Sequence, residues 1–333
     1  MRYCIWNNKG GVGKTFLTYL MATEYAVNNP EKEIVVVDMC PQANISEILL
    51  GGNGIGQENL EKCFSNELTI ASYIKKRFSN GKNGLLGSET QYFVKVNDYN
   101  TNLPKNIYLL PGDNELDVCS SLINYLASSP EKKAWVNSRN LLLELMTSFT
   151  NASKKERVYF IDCNPSFSPY TELAIIASNR LIVPCTADNA SMRGIHNIFK
   201  LLYGINQDES QFTQFYEKIQ ENNITLPTIY RVVLNKSRTS DQNASQAFSA
   251  NQAQINEIST TLRNSYPDRF SDDNNTIYNI KDGNTLAVVV NHTGKALNDI
   301  TIGRHTVYDL STQINKKQKS ALMDDIATLV SQL

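Results

Sequence analysis

The amino-acid sequence predicts an α/β fold: a doubly wound, mostly parallel sheet with helices on both faces. Short apolar runs typical of buried strands alternate with longer segments whose apolar residues recur at helical spacing. Polar residues come directly after several of these runs, for example Asp38, Asp162 and Asn235. Ligands bind at the carboxyl ends of the strands in such folds, so the sequence predicts a site there.

The first strand is predicted at residues 3–6, and the turn KGGVGKT comes next at residues 9–15, before a helix that begins near Phe16. A glycine turn between a strand and a helix is typical of a phosphate-binding loop. Its glycines let backbone N–H groups close around phosphate oxygens, and the helix directs its positive end at the same anion. Lys14 is predicted to contact the β- and γ-phosphates of ATP, and Thr15 to ligate Mg²⁺.

The loop departs from the common pattern, because Asn8 stands at the first glycine position and a second lysine, Lys9, precedes the double glycine. KGGVGKT preceded by two asparagines resembles the deviant Walker A motif of the ParA/MinD family. That resemblance implies a P-loop ATPase fold and a homodimer that sandwiches ATP, with Lys9 reaching the partner's nucleotide. A glycine loop that binds no nucleotide is disfavoured by seven consecutive matching positions. The implied nucleotide contacts are Lys9, Gly10, Gly11, Val12, Gly13, Lys14, Thr15 and Phe16.

A second strand, predicted at residues 34–37, leads into DMCPQAN at residues 38–44. This segment resembles the family's first switch, D-x-D-P-Q-x-N, with Cys40 in place of the second aspartate. In relatives that aspartate positions the attacking water, so slow hydrolysis is expected here. Two alternatives remain open: Gln42, Asn44 or another residue orients the water, or Cys40 has a redox role near Cys163.

The apolar run at residues 158–162 ends in Asp162, which is the Walker B arrangement for orienting Mg²⁺. Further strands are predicted at residues 106–110, 181–184 and 230–235, and helices at 68–78, 137–149 and 191–203. By resemblance, Asn235 at a strand end contacts adenine, although asparagine also favours turns. The resemblance implies catalytic roles for Lys9, Lys14, Asp38, Cys40 and Asp162, and metal binding by Thr15 and Asp162.

Domain organisation and composition point to one ParA-like ATPase domain over residues 1–333, with a C-terminal helix at about 314–333. The net charge of −1 does not demand a polyanionic partner. No apolar run approaches the roughly 20 residues of a membrane span, and no signal peptide is visible. The cysteines form no C-x-x-C pairs, which favours reduced thiols and a cytoplasmic location, nucleoid-associated if DNA is bound.

Three functions compete. The first is a ParA-like partition ATPase with a ParB-like adaptor and non-specific DNA binding. The second is a MinD-like membrane-positioning ATPase, for which the shared apolar face of Leu322, Ile326, Leu329, Val330 and Leu333 would serve, although it can equally pack on the domain. The third is an ATP switch that barely hydrolyses and recruits a protein, which Cys40 favours. The candidate DNA phosphate contacts are Lys236, Arg238, Arg263, Arg269, Lys295, Arg304, Lys316, Lys317 and Lys319.

Overall fold

The computed structural model describes residues 1–79, 85–205, 213–237, 242–271 and 277–333 of the chain. These residues form the strands β1 (Arg2–Ile5), β2 (Glu33–Met39), β3 (Val94–Lys95), β4 (Ile107–Leu110), β5 (Arg157–Cys163), β6 (Arg180–Cys185), β7 (Thr228–Ser237), β8 (Ile277–Lys281), β9 (Gly303–Val307) and β10 (Leu310–Ile314). They also form the helices α1 (Lys14–Asn28), α2 (Asn44–Leu49), α3 (Ile55–Ser65), α4 (Ile70–Ser79), α5 (Leu116–Ala127), α6 (Ala134–Arg139), α7 (Leu141–Asn151), α8 (Pro169–Ile176), α9 (Asn189–Tyr203), α10 (Gln214–Glu221), α11 (Gln242–Ser265), α12 (Asn284–Thr293) and α13 (Lys316–Val330).

Eight strands make one sheet in the order β3-β4-β2-β5-β1-β6-β7-β8. All neighbours in it are parallel except β3, which runs antiparallel to β4. The predicted doubly wound, mostly parallel α/β fold is therefore confirmed. The prediction of one helix at residues 137–149 is wrong, because the helix is interrupted at Asn140, where α6 ends and α7 begins.

The sheet is buried on both faces, which explains why its strands read as continuous apolar runs rather than alternating ones. In β1, Tyr3 and Ile5 belong to the core shared with α1, α12 and α13, whereas Cys4 belongs to the core shared with α5, α7, α8 and α9. Burial on both faces fixes the register of this strand, because a shift by one residue would exchange its two faces.

The carboxyl ends of β1, β2 and β5 lie side by side at one edge of the sheet. Ile5 pairs with Asp162 across β1 and β5, and Asp38 pairs with the same Asp162 across β2 and β5. The chain runs from β1 towards β2 on one side, while β6 lies on the other side of β1. This reversal of strand order leaves a crevice at the loop after β1, which is where ligands bind in such sheets.

The C-terminal helix α13 packs on the domain through its apolar face. Leu322, Ile326, Leu329 and Val330 are each at most 3% exposed and belong to the core that includes α1. This face is therefore not available to a membrane, which removes the feature on which the MinD-like hypothesis depended. Within the described ranges, no helix is long and apolar enough to cross a membrane.

Candidate nucleotide site

The turn after β1 has the backbone of a phosphate-binding loop. Gly11 and Gly13 have φ angles of 73° and 82°, a left-handed conformation that side chains other than glycine rarely adopt. The side chain of Asn7 fixes the start of the loop: its amide nitrogen donates to the carbonyl of Pro184 (2.8 Å), and its oxygen accepts from the Lys9 N–H (3.0 Å). The loop is thus anchored to the neighbouring strand β6 before α1 begins.

Lys14, the first residue of α1, folds back over the loop. Its ammonium donates to the backbone carbonyls of Asn7 (3.2 Å) and Lys9 (2.9 Å), and burial lowers its pKa. A buried cation held only by neutral carbonyls gains more from an anion than from these partners. The lysine therefore lies at the centre of the loop, where a phosphate group would replace the carbonyls as its partner.

Asp162, at the end of β5, faces the start of α1. One carboxylate oxygen accepts from the Thr15 hydroxyl at 2.8 Å and the other from the Thr18 hydroxyl at 3.3 Å. Burial, and then the neighbouring Asp38, raise the pKa of Asp162 to about 7. Buried oxygen donors with excess negative charge suit a hard divalent cation such as Mg²⁺, so Thr15 and Asp162 fit their predicted metal-binding role.

Asp38 holds the first switch segment in place. Its carboxylate accepts hydrogen bonds from the Cys40 N–H (3.0 Å), the Ser46 N–H (3.1 Å) and the Ser46 hydroxyl (2.7 Å). Burial raises the pKa of Asp38 to about 6, although these hydrogen bonds oppose the rise. Three donors from its own segment make Asp38 a residue that shapes the switch. We expect it to act on the nucleotide through that shape.

Gly112 supports this arrangement from the end of β4, and the sequence analysis missed its role. A Cβ at Gly112 would lie 2.7 Å from Cγ of Asp38 and 2.9 Å from the carbonyl oxygen of Cys40. The Gly112 N–H also donates to the Ser46 hydroxyl at 3.0 Å. Glycine is therefore required here by close approach rather than by its backbone angles. Thr18 was missed because its partner Asp162 is 144 positions away, and Ser46 because nothing in the sequence marks it as a partner of Asp38.

Cys40 lies in the first switch segment, and its thiol is poorly suited to act as a base. Burial, and then Asp38, raise the pKa of this thiol to about 12, so it stays protonated near neutral pH. The sulfur of Cys163 contacts that of Cys4 at 3.5 Å. The geometry therefore pairs Cys163 with Cys4, a residue to which the sequence analysis gave no role, and offers no support for a redox pair with Cys40.

Asn235 borders a cavity of about 170 Å³ beside the loop. Its side-chain nitrogen donates to the Val12 carbonyl at 2.8 Å. The cavity is mostly apolar, as suits the faces of a flat base, and polar groups from residues 281–283 stand at its wall. Phe16, which was predicted among the nucleotide contacts, also lines this cavity. The remaining lining residues are Gly13, Leu17, Leu20, Ile280, Ala287 and Leu322.

Lys9 points away from the loop towards the start of α9. Its ammonium forms an ion pair with Asp188 and donates to the hydroxyls of Thr186 (2.7 Å) and Ser191 (3.4 Å). These partners come after β6, and the sequence analysis assigned them no role. Lys9 thus contacts residues of its own chain in this structure.

The basic candidates for DNA contact differ in availability. Arg263 donates to the Ser271 carbonyl, Arg269 lies over the Tyr203 ring, and Lys319 donates to the carbonyls of residues 298 and 300. Arg238 and the side chain of Lys236 lie outside the described part of the chain. The side chains that are exposed are Lys295, Arg304, Lys316 and Lys317. The last two, here called the α13 lysine pair, line an open cleft together with Lys281.

Comparisons with known proteins agree with this architecture. The model of an AAA domain family, AAA_31, matches residues 2–215. An McdA variant from Cyanothece in complex with ATP aligns over 100% of this chain and 95% of that one, with 14% identity and a TM-score of 0.58. A putative plasmid partition protein from Borrelia burgdorferi bound to AMPPNP aligns over 99% and 98%, with 16% identity and a TM-score of 0.54. Cobyrinic acid a,c-diamide synthase from Mycobacterium smegmatis with a bound ATP analogue and magnesium covers 77% and 80%, with 16% identity and a TM-score of 0.50. No curated protein matches the sequence significantly.

Proposed function

The chain belongs to the AAA domain family AAA_31 and is a ParA/MinD-type P-loop ATPase, and from this premise we propose that it is a ParA-like positioning ATPase. It would bind ATP with Mg²⁺, dimerise around two nucleotides, hydrolyse slowly and bind DNA without sequence preference. A ParB-like adaptor would control its release. ATP, an ATP analogue and magnesium are present in the similar structures, which supports this choice of nucleotide and metal.

The observation that carries the proposal is the meeting of three features at one edge of the sheet. Lys14 lies over a loop whose N–H groups can surround phosphates, and the Thr15 hydroxyl bonds to the buried carboxylate of Asp162. The mostly apolar cavity beside Asn235 adjoins this loop through Gly13. A phosphate loop, a metal-binding oxygen pair and a base-sized cavity in contact with one another form a nucleoside triphosphate site.

Each residue would have a separate task in this site. Gly10–Gly13 backbone N–H groups and Lys14 would bind the phosphates, while Thr15 and Asp162 would hold Mg²⁺, which supplies charge neutralisation at the β- and γ-phosphates. Asp38, through Ser46 and Cys40, would keep the switch segment in position beside the γ-phosphate. Cys40 lacks the carboxylate that would orient water, which supports slow hydrolysis.

A second candidate, an ATP switch that recruits a protein and barely hydrolyses, is favoured by the same Cys40. Both candidates need the same site and the same dimer, so they differ only in the steps after ATP binding. DNA binding by the ATP form separates them, because the switch has no need for a polyanionic partner.

The experiment is analytical size-exclusion chromatography of wild type, Lys14→Ala and Lys9→Ala with ADP, ATP or a non-hydrolysable ATP analogue. Wild type should dimerise with ATP or the analogue only. Lys14→Ala should lose ATP binding, because the loop loses its cation at the β/γ-phosphates. Lys9→Ala should bind ATP as a monomer. Undiminished ATP affinity and dimerisation in Lys14→Ala would contradict the site assignment.

A further inference from the structure

The contacts of Lys9 within its own subunit bear on the cross-subunit role proposed for it. An ammonium has three protons to donate, and the structure gives it three oxygen partners: Asp188, Thr186 and Ser191. The Lys9 side chain is only 24% exposed. A lysine with its hydrogen bonds satisfied in this way must leave them before it can contact the phosphate of a second subunit.

The acceptor site is rigid rather than a chance surface contact. One oxygen of Asp188 caps α9 by accepting from the Ser191 N–H at 2.9 Å, and the other accepts from the Thr186 hydroxyl at 2.7 Å. The Ala187 carbonyl between these residues accepts from the Asn251 side chain of α11 at 3.1 Å. Besides its contact with Lys9, Asp188 therefore accepts two hydrogen bonds from its own segment, and the residue before it is bonded to α11.

The Asp188 carboxylate keeps its negative charge near neutral pH. Partial burial alone would raise the pKa of Asp188, but its hydrogen bonds with Lys9, Thr186 and the Ser191 N–H outweigh burial and lower the pKa to about 2. The carboxylate is consequently ionised at any pH near neutrality. Asp188 thus competes with phosphate for Lys9 to the same extent throughout the neutral pH range.

We propose that Asp188 is a positioning residue that holds Lys9 within its own subunit until ATP-dependent dimerisation, and thereby sets the protein concentration at which the dimer forms. The inference rests on the proposed function, because it requires Lys9 to act across the dimer. Two ATP molecules brought together repel each other, and a lysine from each subunit that contacts the other subunit's phosphates would offset that repulsion. In the monomer the lysine stays beside Asp188, and the formation of one dimer must break two Lys9–Asp188 pairs.

The expected change in the dimer dissociation constant is the square of the effect of one ion pair, because the formation of one dimer breaks two pairs. Weakening one partly exposed, hydrogen-bonded ion pair typically changes an equilibrium by about three- to tenfold. Since both subunits must release Lys9, the dimer dissociation constant should change by about 10- to 100-fold. An Asp188 that served only to cap α9 would give no such gain on substitution.

The test is Asp188→Asn, which keeps a side-chain oxygen to cap α9 while removing the charge opposite Lys9. Sedimentation with a non-hydrolysable ATP analogue should show a dimer dissociation constant lower than that of wild type by about 10- to 100-fold, with unchanged affinity for the analogue in the dilute monomer. The melting temperature should stay the same or fall slightly, so that tighter dimerisation could not be attributed to a more stable fold. Glu221→Gln, which breaks the exposed pair with Lys218, is the matched control and should change neither.

Epistasis separates the possible failures. Lys9→Ala combined with Asp188→Asn should behave as Lys9→Ala alone. If Lys9→Ala impairs dimerisation but Asp188→Asn dimerises as wild type does, or less well, the positioning role is wrong while the proposed function stands. If wild type stays monomeric with the analogue, or if Lys9→Ala dimerises normally, the proposed function is wrong and the inference falls with it.

Discussion

Replacing Cys40 with aspartate is expected to increase the rate of ATP hydrolysis. In the structure, burial and Asp38 raise the pKa of the Cys40 thiol to about 12. The thiol therefore stays protonated near pH 7, and a neutral thiol is a weak hydrogen-bond acceptor. We therefore expect Cys40 to contribute little as a base or as an anchor for water, whereas a carboxylate can do both.

The size of the gain depends on the surroundings of residue 40. General-base assistance is typically worth about 10²–10⁴-fold in rate. A carboxylate at this position would share the burial of Cys40 and lie near Asp38 and Asp162, both of which raise the pKa of a neighbouring acid. We therefore expect the lower end of the range, about 10²-fold, with a gain that increases between pH 6 and 8 as the new carboxylate ionises.

The assay is single-turnover hydrolysis with protein in excess over ATP, since it reports the chemical step without product release. Cys40→Asn is the matched control, because it has the shape of aspartate without the charge, and Cys40→Ala tests for loss of the thiol. Both should hydrolyse ATP at nearly the wild-type rate. A brisk wild-type rate that collapses in all three variants would show that the thiol itself takes part, and the argument from its raised pKa would be refuted.

Three further predictions concern the site and its surroundings. Gly112→Ala should lower the free energy of unfolding in urea by about 1–3 kcal/mol, because its Cβ would lie 2.7 Å from Cγ of Asp38. The free energy of unfolding should also fall as pH rises from about 4 to 7. Asp38 and Asp162 have folded-state pKa values of about 6 and 7 against an ordinary value of 3.8, so in this range the folded state binds more protons than the unfolded state. Asp162→Asn should reduce this dependence of the unfolding free energy on pH, measured by denaturation curves at several pH values. Converting the α13 lysine pair to glutamine should weaken DNA binding by the ATP form and reduce its salt dependence, measured by fluorescence anisotropy. The same change at Lys132 and Lys133, an exposed lysine pair before α6 that is not among the candidate DNA contacts, should not.

The sequence predicted the parts of the site that are local in the chain. The strand, glycine loop and helix at residues 3–16, and the strand ending in Asp162, are read from periodicity and spacing because each is one continuous segment. Gly112 was not predicted, since its role depends on the close approach of the segment after β4 to Asp38 and Ser46. Ser46 lies only eight positions from Asp38, but no motif or periodicity marks it as a partner. The break at Asn140 was missed because the apolar face that predicted the helix, formed by Leu141, Leu142, Leu145 and Met146, lies entirely in α7 and does not fix where the helix begins.

The structure gives Lys9 an interaction partner that its sequence motif does not indicate. The motif assigns it a partner in another subunit, but the structure gives it Asp188, 179 positions away in its own chain. Entry into the dimer would then require each subunit to exchange Asp188 for the partner's phosphates. Exit would require hydrolysis at a site where the protonated thiol of Cys40 gives little help. If the proposed hold on Lys9 and the proposed slow hydrolysis both apply, each ATP-dependent cycle would be long. An adaptor or DNA bound to the protein would then have time to control when the dimer forms and when it dissociates.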